Sequence, residues 1–102
     1  MNIIYHIVAL SSWEEQIESS HYVHGSLDQE GFIHACRVAQ IARVLKRYYV
    51  DVNDLLKLTI DTKLLDTTSP LKEELAASVG EMFPHIFGPI NKSAIISIEK
   101  IR

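Results

Sequence analysis

At 102 residues the chain is sized for a single domain spanning 1–102, and 47% hydrophobic residues suffice for a core that needs neither metal nor disulfide. A net charge of -3 argues against a general nucleic-acid binder with a basic footprint, and a single cysteine, Cys36, excludes an internal disulfide and fits a reducing, cytoplasmic setting. The opening residues carry no basic n-region and no apolar run approaches a membrane span, so neither a secretory signal nor membrane insertion is expected.

Residues 2–10 read as a central strand, because Ile3, Ile4, Ile7 and Val8 put apolar groups on both faces. His6 shares a face with Ile4 and Val8. Ser12, with Glu15 three residues later, has the signature of a capping box, and Trp13 and Ile17 give the apolar face of a short helix ending near Ser19 or Ser20. The segment 21–30 is polar and reads as a turn-rich loop, with His21 and His24 solvated. Residues 31–35 form a short strand with Phe32 and His34 on one face.

A main helix follows over 37–50, with Val38, Ile41, Ala42, Leu45 and Tyr49 at helical spacing and basic residues toward its C-terminal end. The segment 54–61 alternates Leu56, Leu58 and Ile60 with Lys57, Thr59 and Asp61, the pattern of a half-buried strand. Residues 64–70 connect, 71–79 read as a short helical turn, and 83–89 read as an ordered loop punctuated by Pro84, Gly88 and Pro89. A last strand covers 93–101. Strands at both ends with helices between favour an α+β fold with mixed or antiparallel sheets and a few helices. No glycine-rich phosphate loop is present.

Histidine carries the chemical interest, since its ring titrates near neutrality and binds metals and anions. Of five histidines, His6, His34 and His85 stand in apolar, structured contexts. Each alone reads most simply as a satisfied core residue; together they point to a shared pocket. No metal is assigned, because the chain has neither a helical His-x-x-x-His pair nor a Cys-x-x-Cys pair, and His34 with Cys36 is a weak ligand set. Cys36 is read as a small buried residue rather than a nucleophile. The basic residues Arg37, Arg43, Lys46 and Arg47 read as a solvated helix face.

Tyr5-His6-Ile7, Trp13-Glu14, Ser26-Leu27, Glu30-Gly31-Phe32-Ile33-His34 with Gln40 downstream, and the block Phe83-Pro84-His85-Ile86-Phe87-Gly88-Pro89 stand in an order that resembles the bacterial domain-of-unknown-function 952 family over nearly the whole chain. The resemblance implies a fold like that of ADP-ribosyltransferases, in which two packed sheets hold nicotinamide adenine dinucleotide (NAD) in a cleft. It implies His34 and His6 as catalytic candidates, and Tyr5, Ser26, Phe32, His85 and Phe87 as ligand contacts. Where the family usually has Ser two residues after the second motif histidine, this chain has Cys36. The carboxylate that such transferases use would match Glu73 or Glu74.

The expected function is thus binding of a small molecule, of the NAD or ADP-ribose class, with ADP-ribosyl or glycosidic transfer as the reaction if there is one. NAD is the one cofactor candidate, and no oligomeric state is assigned. The alternative is a non-catalytic binding or interaction module whose motif histidines are structural.

Overall fold

The computed structural model of the chain describes residues 2–102. In chain order the elements are β1 (Ile3–Ala9), α1 (Leu10–Glu14), β2 (His21–Tyr22), α2 (Ser26–Glu30), β3 (Ile33–His34), α3 (Ile41–Tyr48), β4 (Leu55–Asp61), β5 (Leu71–Ala76), β6 (Glu81–Ile86), β7 (Ile90–Asn91) and β8 (Ile95–Lys100). The strands form three sheets, in the orders β1-β4-β8, β3-β6-β5 and β2-β7. Every pairing is antiparallel, so the fold is α+β with antiparallel sheets. No helix among the described residues is long and apolar enough to cross a membrane.

Period-2 alternation explains how the sheets divide their faces. In β1 and β4, Ile4 lies opposite Ile60, His6 opposite Leu58 and Val8 opposite Leu56, and all six are buried. Behind β3 and β6, Ile33 and Ile86 are opposite one another and fully buried. These residues, with Trp13, Tyr22, Ile90 and Ala94, make one core between the sheets. The other face of the β3-β6-β5 sheet carries His34 opposite His85 and His85 opposite Lys72. A short bridge ties the two large sheets together: the Tyr5 N–H donates to the Cys36 carbonyl and the Cys36 N–H to the Tyr5 carbonyl, each at 2.8 Å.

Several sequence expectations are corrected. The first helix starts two residues before Ser12, with Ala9 as its N-cap and no side-chain cap bond, and it ends at Glu14. Trp13 is buried as expected, but Ile17 is exposed beyond the helix end. Residues 21–30 are not one loop; they hold β2 and α2. Helix α2 stops where Gly31 adopts φ +86, a left-handed conformation natural to glycine at that position. The main helix is shorter than expected: a 3-10 turn over Val38–Gln40 leads into α3, and no residue of α3 is fully buried.

The largest correction concerns 71–89. The Lys-Glu-Glu-Leu-Ala composition favours a helix, yet β5 pairs with β6 along its whole length. Propensity yields to the ladder here. The block at 83–89 is mostly strand rather than loop, and Pro84 sits in the middle strand of its sheet. The N and carbonyl of a residue in an antiparallel strand point to the same side. The Pro84 carbonyl accepts from the Ala35 N–H at 3.1 Å, so its missing N–H faces the side where the two-residue β3 ladder ends. The ladder to β5 loses nothing.

Candidate functional site

A cleft of about 600 Å³ opens where the two large sheets meet, bordered by Tyr5, His6, His24, Glu30, Phe32, His34, Cys36 and His85, with Tyr48, Tyr49, Phe83 and Leu75 on its other walls. That volume is in the range of small-molecule sites. The structure therefore brings His6, His34, His85, Tyr5 and Phe32 together. Ser26 and Phe87 are set back from the lining. Ser26 is buried and bonded to His24, and Phe87 lies behind Phe32 with ring centroids 5.4 Å apart.

The three motif histidines differ in what their nitrogens do. His6 is buried on the core face of β1. Its Nδ1 lies 2.6 Å from the His34 carbonyl and its Nε2 lies 3.1 Å from the Tyr22 hydroxyl. A carbonyl only accepts, so Nδ1–H donates to it and Nε2 accepts from Tyr22. Both nitrogens are thus spent on the protein. Burial pushes the imidazole down to about 3, against a smaller opposing effect of its bond to the His34 carbonyl, so the ring is neutral. Burial likewise pushes the Tyr22 phenol upward, which keeps it a donor.

His34 and His85 face each other across β3 and β6, with rings nearly perpendicular and centroids 5.2 Å apart. Each is tied to a carboxylate. His34 Nε2 lies 2.7 Å from Glu30 Oε2, and His85 Nδ1 lies 2.8 Å from Glu74 Oε1. A carboxylate accepts, so the tied nitrogen of each ring carries a proton and donates. His34 Nδ1 and His85 Nε2 are left for other chemistry. The His85 ring stacks on Phe32 at 3.9 Å and 11° and is mostly buried, whereas the His34 side chain is 53% exposed.

Glu74 is the carboxylate that reaches this group; Glu73 instead pairs with Arg37. Arg43 pairs with Glu81, and Gln40 bonds the Met82 carbonyl at 2.9 Å, fastening the start of α3 to β6. Among the described residues no Lys or Arg lines the cleft. Among the described residues no group of three His, Cys, Asp or Glu side chains is placed to hold a metal ion.

Cys36 lines the cleft but is buried, and burial pushes its thiol up to about 11. The thiolate that a nucleophile needs is therefore scarce at neutral pH. Native protein at pH 7.5 should react with a disulfide reagent such as DTNB far more slowly than protein unfolded in urea, which exposes one thiol per chain. Equal rates in the two states would contradict this burial.

His24, read from sequence as solvated, is half-buried on the cleft wall with its ring 5.3 Å from that of His6. The roles of Tyr22 and Glu30 are also missed in the sequence. The available signal for Glu30 is its spacing of four from His34. His21, by contrast, stays partly exposed and pairs with Asp66 at 2.7 Å.

The family model described as "Protein of unknown function (DUF952)" matches residues 7–98, which hold His24, His34 and His85. The chain belongs to this family. The DUF952 chain is also similar to solved structures of protein CC0527 from Caulobacter crescentus. The X-ray crystal structure of CC0527 superposes with a TM-score of 0.85 at 21% identity, covering 98% of this chain and 86% of that one. Its solution NMR structure gives 0.81 at 22% identity, covering 99% and 85%. At such identity the likeness shows a shared fold. No curated protein matches this DUF952 member in sequence.

Proposed function

We propose that the cleft binds a nucleotide or dinucleotide of the NAD or ADP-ribose class and catalyses cleavage or transfer at its N-glycosidic bond. The observation that carries this reading is the pair of histidine–carboxylate couples, His34–Glu30 and His85–Glu74, facing one aromatic-walled cleft. A carboxylate behind an imidazole fixes its tautomer and stabilises the imidazolium that forms when the far nitrogen takes a proton. Tyr5, Phe32, Tyr48, Tyr49 and Phe83 wall the cleft, a lining suited to a heterocycle. The reading takes the two three-stranded antiparallel sheets that meet at the cleft as an ADP-ribosyltransferase-like layout.

In this reading His34 Nδ1 takes the proton from a water or acceptor hydroxyl as its oxygen attacks the anomeric carbon. The C–N bond breaks and its electron pair leaves with the heterocycle. His85, stacked on Phe32, and Glu74 hold the sugar side. His6 is a positioning residue, because it anchors the His34 backbone through the 2.6 Å bond.

A second reading, a non-catalytic module with structural histidines, is favoured by the full satisfaction of His6 and by the finding that no buried side-chain nitrogen or oxygen among the described residues lacks a partner. Calorimetric titration with NAD and ADP-ribose, together with chromatography of NAD incubated with the protein, separates the two. Saturable 1:1 binding with release of the free heterocycle is expected. No binding and intact NAD would leave the structural reading standing.

A further inference from the structure

His24 is wired in the opposite sense to the other histidines of the cleft. His6 has no free nitrogen, and His34 and His85 each tie one nitrogen to a carboxylate. The Nδ1 of His24 instead lies 3.1 Å from the Ser26 backbone nitrogen and 2.9 Å from Ser26 Oγ. A backbone N–H can only donate, so Nδ1 is the acceptor and the ring proton belongs on Nε2. Ser26 opens α2, where the first N–H groups have no partner within the helix, and His24 satisfies one of them. This arrangement fixes both the ring's orientation and its tautomer. Nε2 has no hydrogen-bond partner among the described residues. Since no fully buried side-chain nitrogen among them lacks a partner, Nε2 is not sealed off, and the ring lies on the cleft wall.

We infer that His24 is the cleft's preset hydrogen-bond donor for an uncharged acceptor on the ligand, an amide or ring carbonyl oxygen of the heterocycle, with Ser26 as the positioning residue that sets its tautomer. The inference rests on reading the cleft as a nucleotide site. The acceptor is uncharged because the lining contributes the Glu30 carboxylate and no Lys or Arg, so an anionic oxygen gains nothing there. Burial lowers the pKa of His24, and the nearby His34 adds to this against the opposing Glu30 carboxylate, so the neutral donor form prevails near neutral pH.

NAD and ADP-ribose separate this idea from its alternatives, since NAD carries a carboxamide carbonyl and ADP-ribose has no carbonyl on a heterocycle. Titration of wild type and His24→Phe should show NAD bound about tenfold more weakly by the variant, with ADP-ribose affinity unchanged; the melting temperature should fall modestly, because the Ser26 N–H loses its acceptor. His24→Gln, which keeps an N–H donor, should recover part of the loss. In the ligand-free protein, proton–nitrogen correlation NMR of the imidazoles should find His24 as the Nε2–H tautomer, and Ser26→Ala, which keeps the backbone N–H that donates to Nδ1, should retain it. Unchanged NAD affinity in His24→Phe, an equal loss for both ligands, or an Nδ1–H tautomer in wild type would each overturn the assignment alone. Failure of wild type to bind either ligand would overturn the proposed function and this inference with it.

Discussion

Replacing His6 with alanine is expected to lower folding stability by about 3 kcal/mol or more at pH 7, as read by urea denaturation. The substitution strands two groups at once. The His34 carbonyl and the Tyr22 hydroxyl both lose their partner, at roughly 1–3 kcal/mol for each group left unsatisfied in the interior. It also opens a cavity beside Leu58, between Ile4 and Val8, in a core where all three are buried. Tyr22→Phe removes only the second bond and should cost less.

The same residue makes stability depend on pH with a definite sign. Burial lowers the folded imidazole from 6.5 to about 3. Between those values the unfolded chain binds the proton and the folded chain does not. The stability associated with a neutral His6 is fully present above pH 6.5 and is lost as the pH falls toward 3. Going from pH 7 to pH 5 should remove about 2 kcal/mol through this group. His24, also lowered chiefly by burial, acts in the same direction. In His6→Ala the slope between pH 7 and 5 should flatten. A variant within about 0.5 kcal/mol of wild type, with the slope unchanged, would contradict both the bonds and the burial.

The strands β1 and β4 are legible in the sequence because their periodicity is set by local burial: apolar residues on both faces of β1 mark a central position, and alternation in β4 marks a half-buried one. The helical reading of 71–79 fails because the ladder partner of β5 is β6, beyond the turn at Gly80, and only that pairing decides its conformation. Pro84 misleads for a related reason. A proline argues against a central strand unless its missing N–H faces the end of a ladder, and that depends on the two-residue length of β3.

The cleft follows the same division. His34 and His85 stand out as titratable rings in apolar blocks, but their convergence comes from register, which places them directly opposite one another. His24 looks solvated because its immediate neighbours are polar. Its place on the wall comes from β2 and α2, two elements too short to have a period. The Tyr22 partnership with His6 spans sixteen residues and leaves no mark on local pattern.

His34→Ala is expected to slow N-glycosidic cleavage of NAD by about 10²- to 10⁴-fold, the usual contribution of a positioned general base. The melting temperature should change little, because the His34 side chain is 53% exposed and its bond to Glu30 is a surface pair. The bond between its backbone carbonyl and His6 survives the substitution. Glu30→Gln keeps a hydrogen-bonding side chain but loses the charge that stabilises the imidazolium, so a smaller loss, about tenfold, is expected. His85→Ala differs from both: it removes a mostly buried ring stacked 3.9 Å from Phe32 and should lower melting temperature as well as rate. Initial rates of heterocycle release, with thermal melts of the same samples, distinguish the three variants. A His34→Ala protein that melts like wild type and turns over NAD at the wild-type rate would remove His34 from the chemistry. Wild-type turnover by Glu30→Gln, beside a slow His34→Ala, would keep the base and discard the carboxylate's part in it.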